Sequence, residues 1–422
     1  MSALDRLLAL PRFADAGAAA YRPGLDRMRA LLDGMGHPER AFPSVHVAGT
    51  NGKGSTASLT ASLAGAAGLR VGLHTSPHLL RVEERMRVDG APAPPGWLGG
   101  ATDRYADLFA RVGPSFFEAT TALALLHFAE AAVDLAVVEV GLGGRLDATN
   151  VLTPVVSVIT SVGLDHTDLL GATLPEIARE KAGIATPGVP LLHAVDDPAA
   201  RVAVEATAHG AGAPAEAVRE TCRVDVESDV PLRIRLATPV ADHGPLAVGL
   251  PGAHQAWNAA LAVRAAEVAV PGLTTHAVAA GLAQVSRRTG LRGRGEEARP
   301  GVVLDVAHND DGWRVALAAA RPAPGGRLLA LVGLMADKDA AALARRLAEA
   351  GATALPVGHP GARALGRDAL AAALRSAGVP TVDVADAEAA LAHFEAHRGP
   401  ADRLLVTGSH GTVAAVLAVL GA

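Results

Sequence analysis

A glycine-rich segment, HVAGTNGKGST at residues 46–56, has the residue types of a phosphate-binding loop. Its spacing differs from the common form, because Gly54 follows Lys53 directly and the hydroxyl comes one residue later, at Ser55. Glycines allow backbone N–H groups to approach an anion closely, and a following helix adds a favourable dipole. A lysine in such a loop can neutralise the β- and γ-phosphates of a nucleotide. The segment therefore favours a nucleotide site, with a tight strand–helix turn that binds nothing as the alternative.

Further polar side chains follow predicted strands. Glu139 lies near the end of the predicted strand DLAVVEVG, where a carboxylate could hold Mg²⁺, a cation that prefers oxygen ligands. His166 lies between Asp165 and Asp168 just after another strand. The alternative for Glu139 is a solvated acid in a turn. His166 could contact a metal or a phosphate, or could be a structural hydrogen-bond partner.

Two more segments contain side chains that could take part in chemistry. Lys181, in the segment REKAGI, lies on an otherwise apolar helical pattern, and taken alone it is typical of a surface charge. In the C-terminal part, DVAHND places Asp305, His308 and Asn309 just past a strand. Polar clusters at strand ends in both parts of the chain predict a cleft between two domains.

The elements that must position these residues alternate between strands and helices. Continuous β-branched runs suit parallel strands covered on both faces, and such alternation predicts a doubly wound sheet with ligands at the carboxyl ends of its strands. In the N-terminal part the predicted strands are 44–48, 70–75, 134–141 and 155–162, and the predicted helices are 54–67, 117–132, 254–269 and 274–285. Short strands between residues 221 and 250 predict an antiparallel edge. In the C-terminal part the predicted strands are 302–308, 327–334, 352–358, 380–385 and 402–408.

The predicted fold is α/β with two domains. Residues 1–290 form a P-loop ATPase-type domain, whose mostly parallel sheet has helices on both faces. Residues 291–300 belong to a segment rich in Arg and Gly and poor in apolar residues, which predicts an inter-domain linker. Residues 301–422 form a smaller, Rossmann-like α/β domain.

Composition narrows the class of function. Half of the 422 residues are apolar and 19% are charged, so a large core can be buried, and the net charge of −5 argues against a dedicated nucleic-acid binder. The single cysteine, Cys222, allows no intrachain disulfide, which fits a reducing compartment. We find neither the pattern of a signal peptide nor 18 apolar residues without a charge or helix breaker. These features predict a cytoplasmic protein without nucleic-acid or membrane partners.

Seven motifs occur together and in order along the chain: GTNGKGS, TSPHL, FFEATT, EVGLGGRLDATN, LDHT, REKAGI and DVAHN. With them the chain resembles the bacterial folylpolyglutamate synthase/dihydrofolate synthase family, of the Mur ligase superfamily, from residues 21–32 to residues 406–417. The ten-residue match GLGGRLDATN is highly specific. In this family the phosphate loop carries the extra glycine after the lysine, so the resemblance implies an intact loop of another subtype.

The resemblance implies an ATP-dependent ligase, with an N-terminal ATP- and folate-binding domain and a C-terminal glutamate ligase domain. A folate-type carboxylate would take the γ-phosphoryl group of ATP, and the amino group of L-glutamate would attack the acyl phosphate. The expected substrates are dihydropteroate, reduced folates and L-glutamate, used by a monomer. The expected cofactors are ATP and Mg²⁺ at two sites, one of them through a carbamylated lysine. The alternatives are a folylpolyglutamate synthase only, another Mur-type amino acid ligase, or a nucleotide-binding regulator without ligase activity.

The resemblance also implies roles for individual residues. The residues expected to bind ATP are Thr50, Asn51, Gly52, Lys53, Gly54, Ser55, Asn258, Arg294 and Asp305. The residues expected to hold Mg²⁺ are Ser76, Glu139, His166 and Lys181. The residues expected to contact the pterin side of the acceptor are Pro23, Gly24, Leu25, Ser115, Phe116, Phe117, Glu118, Leu146, Asp147 and Ala148. The catalytic residues are expected to be Lys53, Lys181 and His308.

Two positions depart from the family pattern. Arg292 stands where the family often has a proline, which puts the stiffness of the linker in doubt. Asp310 stands where proline is common, and we interpret it as a helix cap. Other Mur ligases need an extra N-terminal domain for a UDP-sugar, and the 48 residues before Gly49 are too few for one, which favours the folate branch.

Overall fold

The computed structural model describes residues 2–12, 22–358, 361 and 363–421, and the chain divides into two compact units. Unit 1 comprises residues 1–78, 82–249 and 253–291, and unit 2 comprises residues 79–81, 250–252 and 292–422. Each unit has its own mostly parallel sheet with helices between the strands. The predicted α/β fold class is therefore confirmed.

The main sheet of unit 1 has eight strands. They are β1 (Ser44–Ala48), β2 (Val71–His74), β3 (Met86–Val88), β4 (Ala91–Pro92), β5 (Leu135–Glu139), β6 (Val156–Ile159), β7 (Leu191–His193) and β8 (Ala215–Ala217). Their order is β4-β3-β2-β5-β1-β6-β7-β8, with parallel pairing from β2 to β8 and antiparallel pairing of β3 with its two neighbours. Every residue of β1, β2, β5 and β6 is buried, which explains why these strands have no alternation of polar and apolar residues.

Thirteen helices of unit 1 lie within the described residues, apart from short 3₁₀ turns. They are α1 (Ala3–Leu8), α2 (Asp26–Met35), α3 (Lys53–Ala66), α4 (Trp97–Arg104), α5 (Ala106–Val112), α6 (Phe116–Glu130), α7 (Thr167–Leu170), α8 (Leu174–Ala182), α9 (Pro198–Gly210), α10 (Val218–Thr221), α11 (Gln255–Ala269), α12 (Thr275–Ala283) and α13 (Val285–Thr289). On one face of the sheet, α2 and α6 share an apolar core with Ala136 and Val138 of β5. Helix α3 contacts β1, β2 and β5 and packs against α11 and α12. None of the described helices is long and apolar enough to cross a bilayer.

The short strands predicted between residues 221 and 250 exist, but they do not extend the main sheet. They are β9 (Arg223–Asp229), β10 (Leu232–Ala237) and β11 (Asp242–Ala247). They form a separate antiparallel sheet in the order β11-β10-β9. Burial alternates along β10, whose three apolar residues Leu232, Ile234 and Leu236 face the interior.

Unit 2 has a five-stranded sheet and five described helices. Its strands are β12 (Arg294–Arg299), β13 (Val302–Asp305), β14 (Leu328–Val332), β15 (Thr353–Pro356) and β16 (Arg403–Thr407), in the order β12-β13-β16-β14-β15. Its helices are α14 (Asp310–Ala319), α15 (Ala340–Glu349), α16 (Arg367–Ser376), α17 (Ala387–His397) and α18 (His410–Val419). All strand pairs are parallel except β12–β13.

Two predictions for this unit differ from the structure. Most of the predicted linker 291–300 is strand β12, which pairs with β13 as an antiparallel edge strand. An edge strand has one neighbour and remains partly exposed, so it needs few apolar residues. The predicted strand 380–385 contributes only one bridge, between Thr381 and Ala354. The chain then leaves the sheet, and the carbonyl of Val384 accepts a hydrogen bond from the Arg367 side chain (3.1 Å) instead of from a strand.

Candidate active site

The phosphate loop connects β1 to α3 at the carboxyl edge of the main sheet. Gly52 caps α3 in a left-handed conformation, with φ of 85°. The Lys53 ammonium donates hydrogen bonds to the carbonyl oxygens of Gly49 and Thr50, both at 3.1 Å. The lysine thus lies over the loop, at the helix N-terminus where an anion would be stabilised.

Glycine is required at two positions of the loop by close neighbours. A Cβ on Gly49, where φ is 152°, would lie 1.8 Å from Oγ1 of Thr160. A Cβ on Gly52 would lie 2.5 Å from Oδ1 of Asn258. The predicted nucleotide residue Asn258 therefore lies against the loop, although it is more than 200 positions further along the chain. Its amide donates to Gln255 (2.8 Å), whose own amide lies 3.4 Å from the buried Ser55 hydroxyl.

We expect Gly49→Ala to destabilise the fold by about 1–3 kcal/mol and to weaken ATP binding, because the new methyl group must displace Thr160. Gly65→Ala on α3 is the matched control, since a Cβ there meets nothing within 4 Å and helix propensity predicts a gain of roughly 0.5–1 kcal/mol. Urea unfolding and nucleotide titration of both variants measure the difference. Equal effects of the two substitutions would contradict the steric account.

Hydroxyl groups at the end of β6 hold the loop from the side. Thr160 and Ser161 donate to the carbonyl of Asn51 at 2.6 and 3.0 Å, and the Asn51 amide donates to the Ser161 hydroxyl at 3.0 Å. The Thr50 hydroxyl exchanges two bonds with the backbone of Gly163. Thr160 and Ser161 are not among the site residues predicted from the sequence. The available signal was two adjacent hydroxyl residues at the carboxyl end of a strand next to β1.

Lys181 is buried, so its interpretation as a surface charge is wrong. Only 3% of the residue is exposed, and its ammonium donates to the carbonyl of Gly49 at 3.0 Å. Burial, together with the positive charge of Lys53, lowers the pKa of Lys181 to about 7, while Asp165 opposes the shift. Two lysines therefore converge on one carbonyl oxygen, and one of them is easily deprotonated near neutral pH.

Two of the predicted metal ligands, Ser76 and Glu139, are in direct contact. Glu139 is 4% exposed at the end of β5, and its Oε2 accepts a hydrogen bond from the Ser76 amide at 3.0 Å. His166 has a left-handed backbone, and its Nε2 lies 3.9 Å from Oδ1 of Asp165. No three His, Cys, Asp or Glu side chains form a metal-binding group in the described part of the chain. The predicted set consequently depends on the serine oxygen and on modification of the lysine.

The predicted acceptor residues form two groups in unit 1. Residues 23–25 precede α2 and Ser115 caps α6, and an ion pair between Arg27 and Glu118 (3.0 Å) joins the two helix starts. Glu118 also accepts bonds from the backbone and hydroxyl of Ser115. Its carboxylate therefore has a structural partner on each side.

Asp147, predicted as an acceptor contact, holds its own loop together. Its carboxylate accepts hydrogen bonds from the Leu142 amide (2.9 Å) and from the amide and hydroxyl of Thr149 (3.0 and 2.5 Å). Burial nevertheless raises its pKa. The neighbouring Ala148 is buried and Leu146 is half-buried. This arrangement fixes the shape of the loop after β5.

The predicted residues of unit 2 lie at the end of β13. Asp305 pairs in register with Arg294, and burial raises the pKa of Asp305 to about 6 against the effect of that arginine. His308 Nδ1 lies 3.0 Å from the carbonyl of Val306, and its ring lies 5.9 Å from that of His410. Asn309, not Asp310, caps α14, because its side chain accepts from the Gly312 amide at 2.9 Å.

Asp310 is the first residue of α14, and its interpretation as the cap is wrong. Its carboxylate forms an ion pair with Arg346 (2.6 Å), which lowers its pKa. This ion pair therefore connects α14 to α15 within unit 2.

Comparison with known proteins identifies both parts of the chain. Residues 47–266 match the Mur ligase middle domain, and residues 287–410 match the Mur ligase glutamate ligase domain. A dihydrofolate synthase/folylpolyglutamate synthase of Bacillus subtilis is 38% identical over 306 residues, which cover 69% of this chain and 70% of that protein. A probable bifunctional folylpolyglutamate synthase/dihydropteroate synthase of Halobacterium salinarum is 40% identical over 419 residues. The match covers 93% of this chain, which spans about half the length of that relative (49%).

Solved structures agree over the full chain. E. coli FolC in complex with DHPP and ADP superimposes with a TM-score of 0.87 and 30% identity, covering 100% of this chain and 98% of that one. A bifunctional folylpolyglutamate synthase/dihydrofolate synthase with Mn, AMPPNP and L-glutamate bound gives a TM-score of 0.84 and 30% identity, covering 100% and 98%. These neighbours bind a nucleotide, and the second also binds a divalent metal.

Proposed function

The chain belongs to the Mur ligase superfamily, in the branch of the folylpolyglutamate and dihydrofolate synthases, and from this premise we propose that it adds L-glutamate to folate acceptors at the cost of ATP. The proposed acceptors are dihydropteroate and reduced folates, and the proposed intermediate is an acyl phosphate. The observation that carries the proposal is the convergence of Lys53 and Lys181 on the phosphate loop, beside the buried Glu139. The residues assigned to ATP, acceptor and metal above are part of the proposal.

The proposed chemistry replaces a poor leaving group by a good one. A carboxylate oxygen of the acceptor forms a bond to the γ-phosphorus, and the bond from that phosphorus to ADP breaks. The amino nitrogen of glutamate then bonds to the acyl carbon and loses a proton, and phosphate leaves. Lys53 and the loop amides would neutralise the charge that shifts between the phosphates, and the loop would hold the reacting groups in line.

Ser76, Glu139, His166 and Lys181 would hold Mg²⁺. The fit is supported by a nearly inaccessible carboxylate, that of Glu139, which lies directly against the Ser76 backbone. Bound there, Mg²⁺ would neutralise phosphate charge. The four side chains would orient the nucleotide relative to the acceptor.

The proposed modification of Lys181 is supported by its chemistry. A carbamate forms when a neutral amine bonds to the carbon of CO₂ and loses one proton, which converts a cation into an anionic oxygen ligand. Ordinary lysines are protonated at pH 7, whereas the pKa of Lys181 is lowered to about 7. A substantial fraction of this amine is therefore neutral and reactive at physiological pH.

In unit 2, His308, Asp305 and Arg294 are proposed to act on the phosphoryl and nucleotide groups, and this unit carries the match to the glutamate ligase domain. We also propose that the protein acts in the cytoplasm as a monomer, which light scattering would test. A folylpolyglutamate synthase without the dihydrofolate synthase activity is the second candidate, because one relative of comparable identity is named for that activity alone. Another Mur-type ligase or a regulator without ligase activity is disfavoured by the similarity to the folate branch over the whole chain.

We expect phosphate release from ATP and Mg²⁺ when L-glutamate is present with dihydropteroate or with tetrahydrofolate. Product masses should rise by one glutamyl residue, and L-aspartate should serve as the inactive control amino acid. Turnover with tetrahydrofolate alone would restrict the enzyme to chain extension. Nucleotide binding without turnover on either acceptor would refute the ligase proposal.

A further inference from the structure

Arg85 is a buried cation beside the proposed site. It ends the 3₁₀ turn Val82–Arg85 just before β3, and only 8% of the residue is exposed. Burial lowers its pKa to about 10, against the effect of the nearby Glu139 carboxylate, so the guanidinium is charged at neutral pH. The proposed mechanism does not use this charge.

The contacts of Arg85 fix its position between two proposed binding segments. Its Nε donates to Nδ1 of His78 at 2.9 Å, and its guanidinium carbon lies 5.2 Å from the ring centre of Phe116. Its carbonyl accepts a bond from Nδ1 of His74 at 2.8 Å and one from the Thr75 amide at 3.3 Å. Arg85 therefore links the segment that leads to Ser76 with the start of the acceptor segment at Phe116.

The outer part of the guanidinium has no partner within the described residues. Neither Nη group donates a hydrogen bond there, and no described carboxylate forms an ion pair with Arg85. Both Nη groups still reach accessible space. The carboxylates of Glu139 and Glu84 favour the charged form of Arg85 from a distance, but within the described residues no carboxylate pairs with it directly. Burial of a charge without a direct ion pair is costly, and the contact with one aromatic face offsets only part of that cost. This arrangement is what a binding site for an anionic ligand requires before its ligand arrives.

On the basis of the function proposed above, we infer that the two Nη groups of Arg85 bind the reacting carboxylate of the acceptor. Two parallel N–H donors match the two oxygens of a carboxylate. The acceptor is favoured over glutamate, because Phe116 belongs to the proposed acceptor segment whereas the glutamate ligase match covers residues 287–410. Arg85 would then be a binding residue that also takes part in both chemical steps.

The reaction gives the two carboxylate oxygens different fates. One oxygen forms the new bond to the γ-phosphorus, whose bond to ADP breaks. The other remains on Arg85 and becomes the carbonyl oxygen of the acyl phosphate. When the glutamate nitrogen adds to the acyl carbon, this oxygen takes up the electron pair, and it returns the pair when phosphate leaves and the nitrogen loses its proton. Arg85 would stabilise the negative charge at that oxygen.

The test compares binding of dihydropteroate with binding of its carboxamide, in which the reacting carboxylate is uncharged. The dissociation constants would be measured by fluorescence, without ATP, for the wild-type protein, Arg85→Gln and the control Arg87→Gln. Arg87 is half-buried two residues further along and donates to the Gly90 carbonyl at 3.0 Å. We expect the wild type and Arg87→Gln to prefer the acid about 10- to 100-fold, the range of a charge-assisted pair of hydrogen bonds. For Arg85→Gln, the dissociation constants of the acid and the carboxamide should differ by no more than about threefold, because the charge-assisted pair of hydrogen bonds is lost.

An unchanged preference for the acid in Arg85→Gln would overturn the inference, because a purely structural arginine would weaken both compounds equally. If Arg85→Gln does not fold, Arg85→Lys serves instead. Its preference for the acid over the carboxamide, expressed as a ratio of dissociation constants, should be smaller than that of the wild type. A wild-type preference in Arg85→Lys would overturn the inference. Failure of the wild type to bind either compound would instead refute the folate acceptor itself, and this outcome is recognisable without any variant.

Discussion

Lys53→Ala is expected to lower kcat/KM for ATP by roughly 10²- to 10³-fold, the range seen when one preorganised donor is removed from a site of developing charge. The Lys53 ammonium lies over the phosphate loop on the carbonyls of Gly49 and Thr50, so alanine removes the only lysine within the loop itself. Phosphate release with saturating acceptor and L-glutamate measures the loss.

The matched control for this variant is Arg70→Ala. Arg70 is an exposed cation that precedes β2 at the amino edge of the same sheet, and we expect activity close to that of the wild type. Thermal unfolding of both variants checks that the fold persists. Undiminished turnover of Lys53→Ala would remove the phosphate-loop assignment.

Lys181→Met is expected to abolish turnover while it stabilises the fold. The folded-state pKa of Lys181 is lowered from 10.5 to about 7, so between these values the unfolded chain binds a proton that the folded chain does not. The free energy of unfolding contributed by this group therefore falls as the pH decreases from 10.5 to 7. Methionine removes this penalty, and we expect a gain of about 1–4 kcal/mol at pH 7 in denaturant unfolding, as for other buried charges replaced by apolar groups.

Arg179→Ala, an exposed position on the same helix, provides the comparison and should change stability by less than about 0.5 kcal/mol. The carbamate itself can be tested through CO₂. Enzyme depleted of bicarbonate should lose activity and regain it on addition of bicarbonate, faster at pH 8 than at pH 6, because only the neutral amine reacts. Full activity of Lys181→Met at low Mg²⁺ would exclude both the metal role and the modification.

The strands that could be predicted are those that consist of an uninterrupted run of apolar residues. The strands around 44–48, 134–141 and 155–162 appear because fully buried parallel strands need uninterrupted apolar runs. The predicted strand 380–385, PTVDVA, has polar residues between its apolar ones and lacks a partner strand along its length. The charged composition of β12 predicts a linker rather than a strand, because an edge strand and a linker have similar residue content.

The site was predicted less completely, because its parts meet only in the folded chain. Burial of Lys181 depends on the packing of α8 beneath the loop, and no local pattern reveals that contact. Thr160 and Ser161 join the site because β6 is the neighbour of β1, a pairing that sequence distance does not indicate. No local pattern distinguishes Arg85, because its neighbours in the chain include charged residues and its contacts with Phe116 and His78 exist only in the folded chain.

The Lys53 ammonium donates hydrogen bonds to the carbonyls of Gly49 and Thr50. The charge of this lysine is therefore already partly compensated within the loop. An incoming phosphate must exchange protein–protein bonds for protein–ligand bonds, and the net affinity is only the difference between the two sets. The same exchange would run in reverse when ADP leaves, since the two carbonyls would again accept the hydrogen bonds of Lys53. Such a loop would favour rapid product release over very tight binding, and a ligase needs that release in every catalytic cycle.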